Sequence, residues 1–170
     1  MQGKWKVRGL NLNVVESGAG LPVLLVHGFP LDHTMWQPQL EALAGEAHVV
    51  APDLRGFGAS DAGGETVSME DYADDLAALL DARTIQEPVV FCGLSMGGYI
   101  AWQFWQRHRA RLRGLILCDT RAAADTPEAA ANRLATADRV LREGPSPVLQ
   151  AMLPKLVAES MAKAGPEVVE

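Results

Sequence analysis

Four short apolar runs constrain the fold of this chain more than any other feature of its sequence. None of them alternates with polar residues, which is typical of strands buried on both faces of a parallel sheet. Between them lie longer stretches whose apolar residues recur every three or four positions, as on the buried side of a helix. Strands that alternate with helices predict βαβ crossovers and therefore a doubly wound, mostly parallel α/β sheet. The runs are residues 23–26, 49–51, 89–92 and 115–118.

Elements around these runs are predicted by their own local signals. Residues 5–14 alternate between apolar and polar side chains on either side of a glycine, which predicts a two-stranded hairpin with one buried face. Ser68 can cap a helix with an apolar stripe, and Asp71 is placed to bond back to that cap. Another helix is predicted to follow residues 93–95 and to end in an arginine-rich turn near His108.

The composition of the last third of the chain is typical of Ala-rich helices. Residues 125–127, Asp-Thr-Pro, can cap one helix, and the Gly-Pro pair at 144–145 ends it. Ser-Pro at 146–147 starts a second helix, which Pro154 is expected to kink or shorten. Residues 165–170 have the pattern of the start of yet another helix.

Composition narrows the classes of function that a chain with this fold can have. The 170 residues are 48% hydrophobic and 21% charged, as in soluble globular proteins. The chain has 15 Lys and Arg residues and 21 Asp and Glu residues. Because it also lacks a run of basic residues that could bind phosphates, we expect no nucleic-acid partner. Residues 1–12 lack the apolar core of a signal peptide, and no apolar run approaches the ~18 residues of a membrane helix. We therefore expect a cytoplasmic protein without membrane contact.

The two cysteines, Cys92 and Cys118, do not have the spacing of a disulfide framework or a zinc site. We expect both to be reduced thiols in the core, and Cys92 to be inert.

The strongest functional signal is the pattern G-x-S-x-G at residues 93–97, Gly-Leu-Ser-Met-Gly. It lies directly between a buried strand and a helix, the context in which this pattern forms a nucleophile elbow. Side chains at positions 93 and 97 would collide with neighbouring backbone in such a turn, which requires glycine there. Ser95 is then a candidate nucleophile, and the Met96 N–H at the start of the helix can stabilise an oxyanion. The alternative is a glycine-rich turn that binds phosphate, but the P-loop Lys-Ser/Thr and the dinucleotide spacing are absent.

Two further motifs accompany this elbow. His27-Gly28-Phe29-Pro30 follows the first buried strand, and residues 52–60, Pro-Asp-Leu-Arg-Gly-Phe-Gly-Ala-Ser, follow the next. With these motifs the chain resembles the α/β-hydrolase superfamily. Cys118-Asp119-Thr120 lies before the Ala-rich stretch. In this feature the chain resembles two groups of that superfamily, the small bacterial carboxylesterases and the 3-oxoadipate enol-lactone hydrolases. The resemblance implies a second oxyanion donor, the backbone N–H of Phe29.

This resemblance spans about the whole chain but only the front part of the superfamily's fold. It implies that residues 1–120 form the amino-terminal part of an α/β-hydrolase core and that residues 121–170 begin a helical cap. It also implies that the last strands of the superfamily's sheet are not expected within these residues.

In the superfamily the order of catalytic residues is nucleophile, acid and histidine, so the base should follow Ser95. His108 is the only histidine there, and one helix at about 1.5 Å per residue places it roughly 20 Å away, outside hydrogen-bond reach. His27 is expected to order the oxyanion loop. His33 is expected beside Trp36 at the mouth of the pocket, and it remains an alternative base.

The triad acid has more than one candidate position. Asp119 ends a buried strand on the side where sites collect in open α/β sheets, and some relatives place their acid there. Most esterases of this type place it after the next strand. Asp53 and Arg55 are expected to tie down their own loop through an ion pair, and the aromatic residues between 102 and 105 to pack in the core.

These residues predict a serine hydrolase that cleaves small, apolar carboxylic esters, with the triad acid and histidine supplied by sequence outside this chain. No metal or organic cofactor is implied. A complementing carboxyl-terminal chain is expected to cover the apolar edge at residues 115–118. The alternatives are an enol-lactonase, a perhydrolase, or a non-catalytic small-molecule-binding protein on a hydrolase scaffold. A serine at the elbow argues against the carboxylate chemistry of haloalkane dehalogenases and epoxide hydrolases.

Overall fold

The structure is a computed structural model that describes residues 1–64 and 66–156, without the side chains of residues 153–155. Its described part contains one six-stranded sheet with the strand order β1-β2-β4-β3-β5-β6. The predicted α/β fold class is confirmed. The helix expected at residues 165–170 lies outside the described residues. The strands are β1 (Gln2–Val7), β2 (Leu10–Ser17), β3 (Leu21–Val26), β4 (Ala47–Pro52), β5 (Val89–Leu94) and β6 (Leu112–Cys118).

The first two strands form the predicted hairpin. Their antiparallel register pairs Trp5 with Leu12, and the turn between them has positive φ at both Arg8 (47°) and Gly9 (88°). Positive φ at both central residues is the geometry of a type I′ turn, whose twist matches that of the strands. The β2 strand then pairs antiparallel with β4, while the β3–β4, β3–β5 and β5–β6 pairs are parallel.

Both faces of the parallel strands are buried, because successive side chains point to opposite sides of the sheet. Leu24 and Val26 belong to a cluster with helices α2 (Met69–Ala82) and α3 (Met96–Arg107). Leu25 belongs to a second cluster, with α1 (Gln37–Ala42) and the short 3-10 turn His33–Trp36. This double covering explains why the apolar runs in these strands show no polar alternation.

The β6 strand differs from the other parallel strands. It pairs only with β5 among the described strands, and Ile116 and Leu117 are 48% and 38% exposed. The expectation of a strand buried on both faces is therefore wrong for β6 in this chain. Its composition suits burial, but no described strand pairs with its outer edge.

The two helices beside the elbow begin and end close to their predicted positions. Ser68 and Asp71 form the predicted capping box at the start of α2. The aromatic residues of α3 differ in burial: Phe104 is fully buried, but Trp105 is 40% exposed. The expectation that all of them pack in the core is wrong, because consecutive residues of a helix point about 100° apart.

A second compact unit begins at Ala123, and the first ends at Ala122. It contains α4 (Pro127–Glu143) and α5 (Ser146–Leu156). The Thr126 side chain caps α4 by accepting a hydrogen bond from the Ala129 N–H, and Gly144 follows its last residue. The α5 helix continues beyond Pro154 to Leu156, so this proline does not end the helix. Within the described ranges, no helix has the length and apolar character needed to cross a bilayer.

Candidate active site

The G-x-S-x-G segment forms a sharp turn between the end of β5 at Leu94 and the start of α3 at Met96. Ser95 lies between them with φ 49° and ψ −107°, a backbone conformation that residues with a side chain rarely adopt. Such a conformation costs of order 1–3 kcal/mol and persists only where the surrounding structure enforces it. Ser95 as a residue is partly exposed.

The glycines on either side of Ser95 are required by close backbone contacts. A Cβ on Gly93 would lie 2.4 Å from the carbonyl oxygen of Gly97. A Cβ on Gly97 would lie 2.4 Å from the carbonyl oxygen of Val26, at the end of β3. Both distances are far below a van der Waals contact, which confirms the steric reason given by the sequence for glycine at these two positions.

The backbone of Ser95 is held from the end of β6. Its N–H donates to the Cys118 carbonyl at 2.9 Å, and its own carbonyl accepts from the Gly98 N–H at 3.0 Å. The Thr120 hydroxyl donates to the same carbonyl at 2.8 Å. Sequence reasoning did not identify Thr120, because a contact between positions 95 and 120 depends on the pairing of β5 with β6.

The loop after β3 is tied to the loop after β4 by His27. This imidazole is fully buried; its Nε2 accepts from the Leu54 N–H at 3.0 Å, and its Nδ1 lies 3.0 Å from the Gly28 carbonyl. Since Nε2 accepts, Nδ1 carries the proton and donates. Burial lowers the pKa of His27, which favours this neutral form. His27 thus joins two loops and makes no hydrogen bond with Ser95.

The His27–Pro30 loop lies directly against the elbow. A Cβ on Gly28 would lie 3.3 Å from the Cβ of Ser95 and 3.2 Å from the Leu94 carbonyl oxygen. The next residue, Phe29, is 45% exposed, and its ring lies 6.1 Å from that of Phe57 in an edge-on arrangement. The chain segments that carry both expected oxyanion donors therefore flank Ser95.

Neither of these two backbone N–H groups, at Phe29 and Met96, has a hydrogen-bond partner in the part of the protein that the structure describes. Free N–H groups are normal in the first turn of a helix, which accounts for Met96. Phe29 lies in a loop, where such a group remains available to a ligand.

Asp53 is a buried anchor for three chain segments. Its carboxylate accepts from the backbone N–H and Nδ1 of His33, from the Asn13 side-chain amide and from the Ala59 N–H, at 2.6–2.9 Å. Burial alone would raise the pKa of Asp53, but these donors outweigh it and lower the pKa. A Cβ on Gly58 would lie 2.2 Å from this carboxylate, so the anchor also depends on glycine there.

The expected ion pair between Asp53 and Arg55 is wrong. Arg55 instead forms a bidentate pair with Asp75 of α2, with both N–O distances at 2.5 Å. Arg8 also donates to Asp75, at 3.1 Å. The Asp53 carboxylate is turned inward to its N–H donors, whereas the Arg55 guanidinium reaches across to the helix.

His33 and Trp36 have different partners. His33 is bound to Asp53 and its side chain is 15% exposed, whereas Trp36 is buried in the cluster with Leu25 and Leu40. The 3-10 turn directs the Trp36 indole onto the sheet, and the lining of a pocket by His33 and Trp36 stays a prediction. The Trp36 Nε1–H is buried and has no partner among the described residues.

No histidine forms a hydrogen bond with Ser95 in the described chain. His108 binds Asp74 of α2 at 2.8 Å, at the far end of α3, in agreement with its exclusion as a base. Asp119 is exposed, has φ 41°, and forms no hydrogen bond or ion pair within the described residues. The described chain therefore brings Ser95 together with the His27–Pro30 loop, and none of its histidines is hydrogen-bonded to Ser95. The four histidines are His27, His33, His48 and His108.

Two clusters of ligand-type side chains occur near the elbow. Asp32, His33 and Asp53 each place one ligand atom within 4.8 Å of the others; Asp32 Oδ1 accepts from Thr34, and Asp53 Oδ1 accepts from His33. Cys92 and Cys118 are free thiols with a sulfur–sulfur distance of 4.0 Å. Burial, with the neighbouring thiol, raises the pKa of Cys92 to about 12, which makes it a poor nucleophile.

A mostly parallel sheet with a sharp strand-to-helix turn at a glycine-flanked serine is the architecture of the α/β-hydrolase class of proteins. The chain belongs to the family described as the alpha/beta hydrolase fold, whose model matches residues 22–165.

Individual relatives agree with this membership. The AB hydrolase superfamily protein YisY of Bacillus subtilis is 37% identical over 120 residues, which cover 69% of this chain and 44% of that protein. The structure of a thermophilic esterase from Thermogutta terrifontis is 48% identical, with a TM-score of 0.92 over 99% of this chain and 64% of the other. The enol-lactonase from Burkholderia xenovorans LB400 is 29% identical, with a TM-score of 0.90 over 98% of this chain and 64% of the other. The chain thus spans less than two thirds of the length of each of these relatives.

Proposed function

We propose that the protein containing this chain is a serine hydrolase that cleaves small, largely apolar carboxylic esters through an acyl-enzyme at Ser95. One observation carries the proposal. Ser95 has a strained backbone between two obligatory glycines, and the segments of Phe29 and Met96, with their unpartnered N–H groups, flank it. Strain of this kind at a partly exposed serine is typical of a nucleophile held for reaction.

The reaction follows from these groups. The Ser95 Oγ attacks the ester carbonyl carbon, and the carbonyl oxygen becomes an oxyanion that the Phe29 and Met96 N–H groups bind. The alcohol leaves with a proton, and water then attacks the acyl-enzyme and releases the acid. A histidine accepts the proton from Ser95 and later gives it to the leaving alcohol.

We place this histidine and its acid partner on polypeptide outside the described residues. Support comes from the chain itself, since His27 and His33 are engaged elsewhere and His108 lies at the far end of α3. The exposed apolar edge of β6, at Ile116 and Leu117, is the place where a further strand of the complete protein would pair. Asp119, at the end of β6, remains an alternative acid.

Ester substrates are favoured by the similarity to the Thermogutta terrifontis esterase. The similarity to an enol-lactonase supports a second candidate, since an enol-lactone is a cyclic ester that the same steps would open. A serine, unlike an aspartate, forms an acyl-enzyme with such substrates and does not displace a halide or open an epoxide to an alkyl-enzyme ester. We further propose that residues 121–170 form part of a cap over the substrate and that the protein acts in the cytoplasm.

Labelling of the complete gene product with a fluorophosphonate tests the nucleophile. We expect one covalent label on Ser95, found by mass spectrometry of the peptide, and none in a folded Ser95→Ala variant. Hydrolysis of p-nitrophenyl esters of increasing chain length, compared with an enol-lactone, then separates the two substrate classes. A folded protein that binds small esters but takes up no label would instead favour a non-catalytic binding protein.

Size-exclusion chromatography with mass analysis of the 170-residue chain tests the β6 edge. We expect self-association, or association with a separately expressed carboxyl-terminal segment. A soluble monomer of this chain alone, indifferent to that segment, would contradict the proposed pairing.

A further inference from the structure

We propose that Thr120 is a positioning residue for the oxyanion site, because its hydroxyl fixes the peptide group that carries the Met96 N–H. This inference rests on the proposed function of Ser95. Met96 directly follows Ser95 in the elbow, whereas Thr120 lies in the segment that follows the end of β6.

The first observation is the hydrogen bond itself. The Thr120 Oγ1–H donates to the Ser95 carbonyl at 2.8 Å, and the Ser95 N–H donates to the Cys118 carbonyl at 2.9 Å. Both polar groups of the Ser95 backbone are therefore held by the segment at the end of β6. The Gly98 N–H, from the first turn of α3, shares the same Ser95 carbonyl at 3.0 Å.

The second observation concerns Gly98, which lies just outside the G-x-S-x-G pattern. A Cβ at this position would lie 2.3 Å from the Thr120 Oγ1, 2.5 Å from its Cγ2 and 2.6 Å from its Cβ. The threonine side chain therefore occupies the space above the first turn of α3 that any larger residue at position 98 would need. Glycine at position 98 therefore leaves the room that the Thr120 side chain needs to bring its hydroxyl to the Ser95 carbonyl.

The consequence for the oxyanion site follows from the geometry of the peptide bond. The Ser95 carbonyl and the Met96 N–H belong to one planar trans peptide group, so they point in opposite directions. A hydroxyl that fixes the carbonyl on one side thereby fixes the direction of the N–H on the other. A hydrogen bond to the carbonyl also polarises the peptide group and strengthens its N–H as a donor.

Two variants of the complete gene product separate this role from packing. Thr120→Val keeps the shape of the side chain and removes the hydroxyl, and Thr120→Ser keeps the hydroxyl and removes the methyl group. We expect kcat for a p-nitrophenyl ester to fall about tenfold in Thr120→Val, with KM changed by less than about twofold. Thr120→Ser should retain kcat within about twofold of the wild type.

The affinity for a trifluoromethyl ketone provides a readout that packing alone would not change. This inhibitor adds to the serine and forms an oxyanion like that of the transition state, so it reports on the oxyanion donors. We expect its inhibition constant to rise by the same factor as kcat falls in Thr120→Val, while inhibition by the product acid stays constant. If Thr120→Val does not fold, the same comparison between Thr120→Ala and Thr120→Ser decides the question.

The possible failures are distinguishable. A wild type that takes up no fluorophosphonate at Ser95 would overturn the proposed function and this role together. A wild type labelled at Ser95, with kcat and ketone affinity unchanged by loss of the Thr120 hydroxyl, would overturn only the role of Thr120. Equal losses in Thr120→Ser and Thr120→Val would also overturn it, because the methyl group and not the hydroxyl would then be responsible.

Discussion

Replacement of Gly97 by alanine tests the close contact between α3 and β3 that shapes the elbow. The added Cβ would lie 2.4 Å from the Val26 carbonyl oxygen and 3.1 Å from the His27 carbonyl oxygen. Cβ atoms essentially never come within 3.0 Å of such atoms, so the helix and the strand must separate by at least 0.6 Å. Both contacts are with backbone, which cannot rotate away as a side chain can.

Overpacking of this kind costs about 1–3 kcal/mol, and the rigid backbone partner places Gly97→Ala at the upper end, about 3 kcal/mol. For a domain of this size such a loss lowers the melting temperature by roughly 6–12 °C. Urea denaturation followed by circular dichroism measures the change in the free energy of unfolding.

Gly45→Ala is the matched control. Gly45 is exposed, its φ is not positive, and a Cβ there would meet nothing within 4 Å. We expect this variant to match the wild type or exceed it slightly, because alanine reduces the entropy of the unfolded chain. A Gly97→Ala variant within about 0.5 kcal/mol of the wild type would refute the reasoning, since surface substitutions without contacts fall in that range.

Four further variants test the packing and the ion pairs around the sheet. Phe104→Ala should lower the free energy of unfolding by about 3–5 kcal/mol in urea denaturation, and Trp105→Ala by clearly less; equal losses would contradict the assigned burial. Asp75→Asn should lower it by about 3 kcal/mol, because it leaves the partly buried Arg55 without a charge partner, and a neutral result in the same assay would argue against this pair. The Arg107 guanidinium, with His108, lowers the pKa of Asp74 to about 2, below its value in the unfolded chain. Its stabilisation is therefore present above about pH 4 and lost as the pH falls toward 2, so Asp74→Asn should lower the melting temperature at neutral pH and progressively less in acid; a constant difference would contradict this.

Much of the fold could be predicted because it depends on short-range patterns. Uninterrupted apolar runs predicted the parallel strands, and the Ser68 cap predicted the start of α2. The elbow could be placed because glycine spacing and its position between a strand and a helix are both local. The apolar run of β6 shows only that the strand suits burial, and the exposure of Ile116 and Leu117 agrees with the apolar edge expected at residues 115–118.

The candidate site was predicted in part for the same reason. Ser95 and the His27–Pro30 loop each follow a predicted strand, and parallel strands bring their carboxyl ends to one edge of the sheet. The partners of Asp53 and Arg55 were assigned wrongly, because proximity in sequence suggested a pair that the direction of the two side chains forbids.

The sequence by itself determined the class of fold and the position of the strained serine, because both depend on residue type and spacing over a few positions. Only the tertiary structure decided that Arg55 pairs with Asp75, that His33 donates to Asp53, and that the Thr120 hydroxyl donates to the Ser95 carbonyl. Each of these contacts joins residues from different elements. Their distance is set by strand register and helix packing, which no local pattern in the chain specifies.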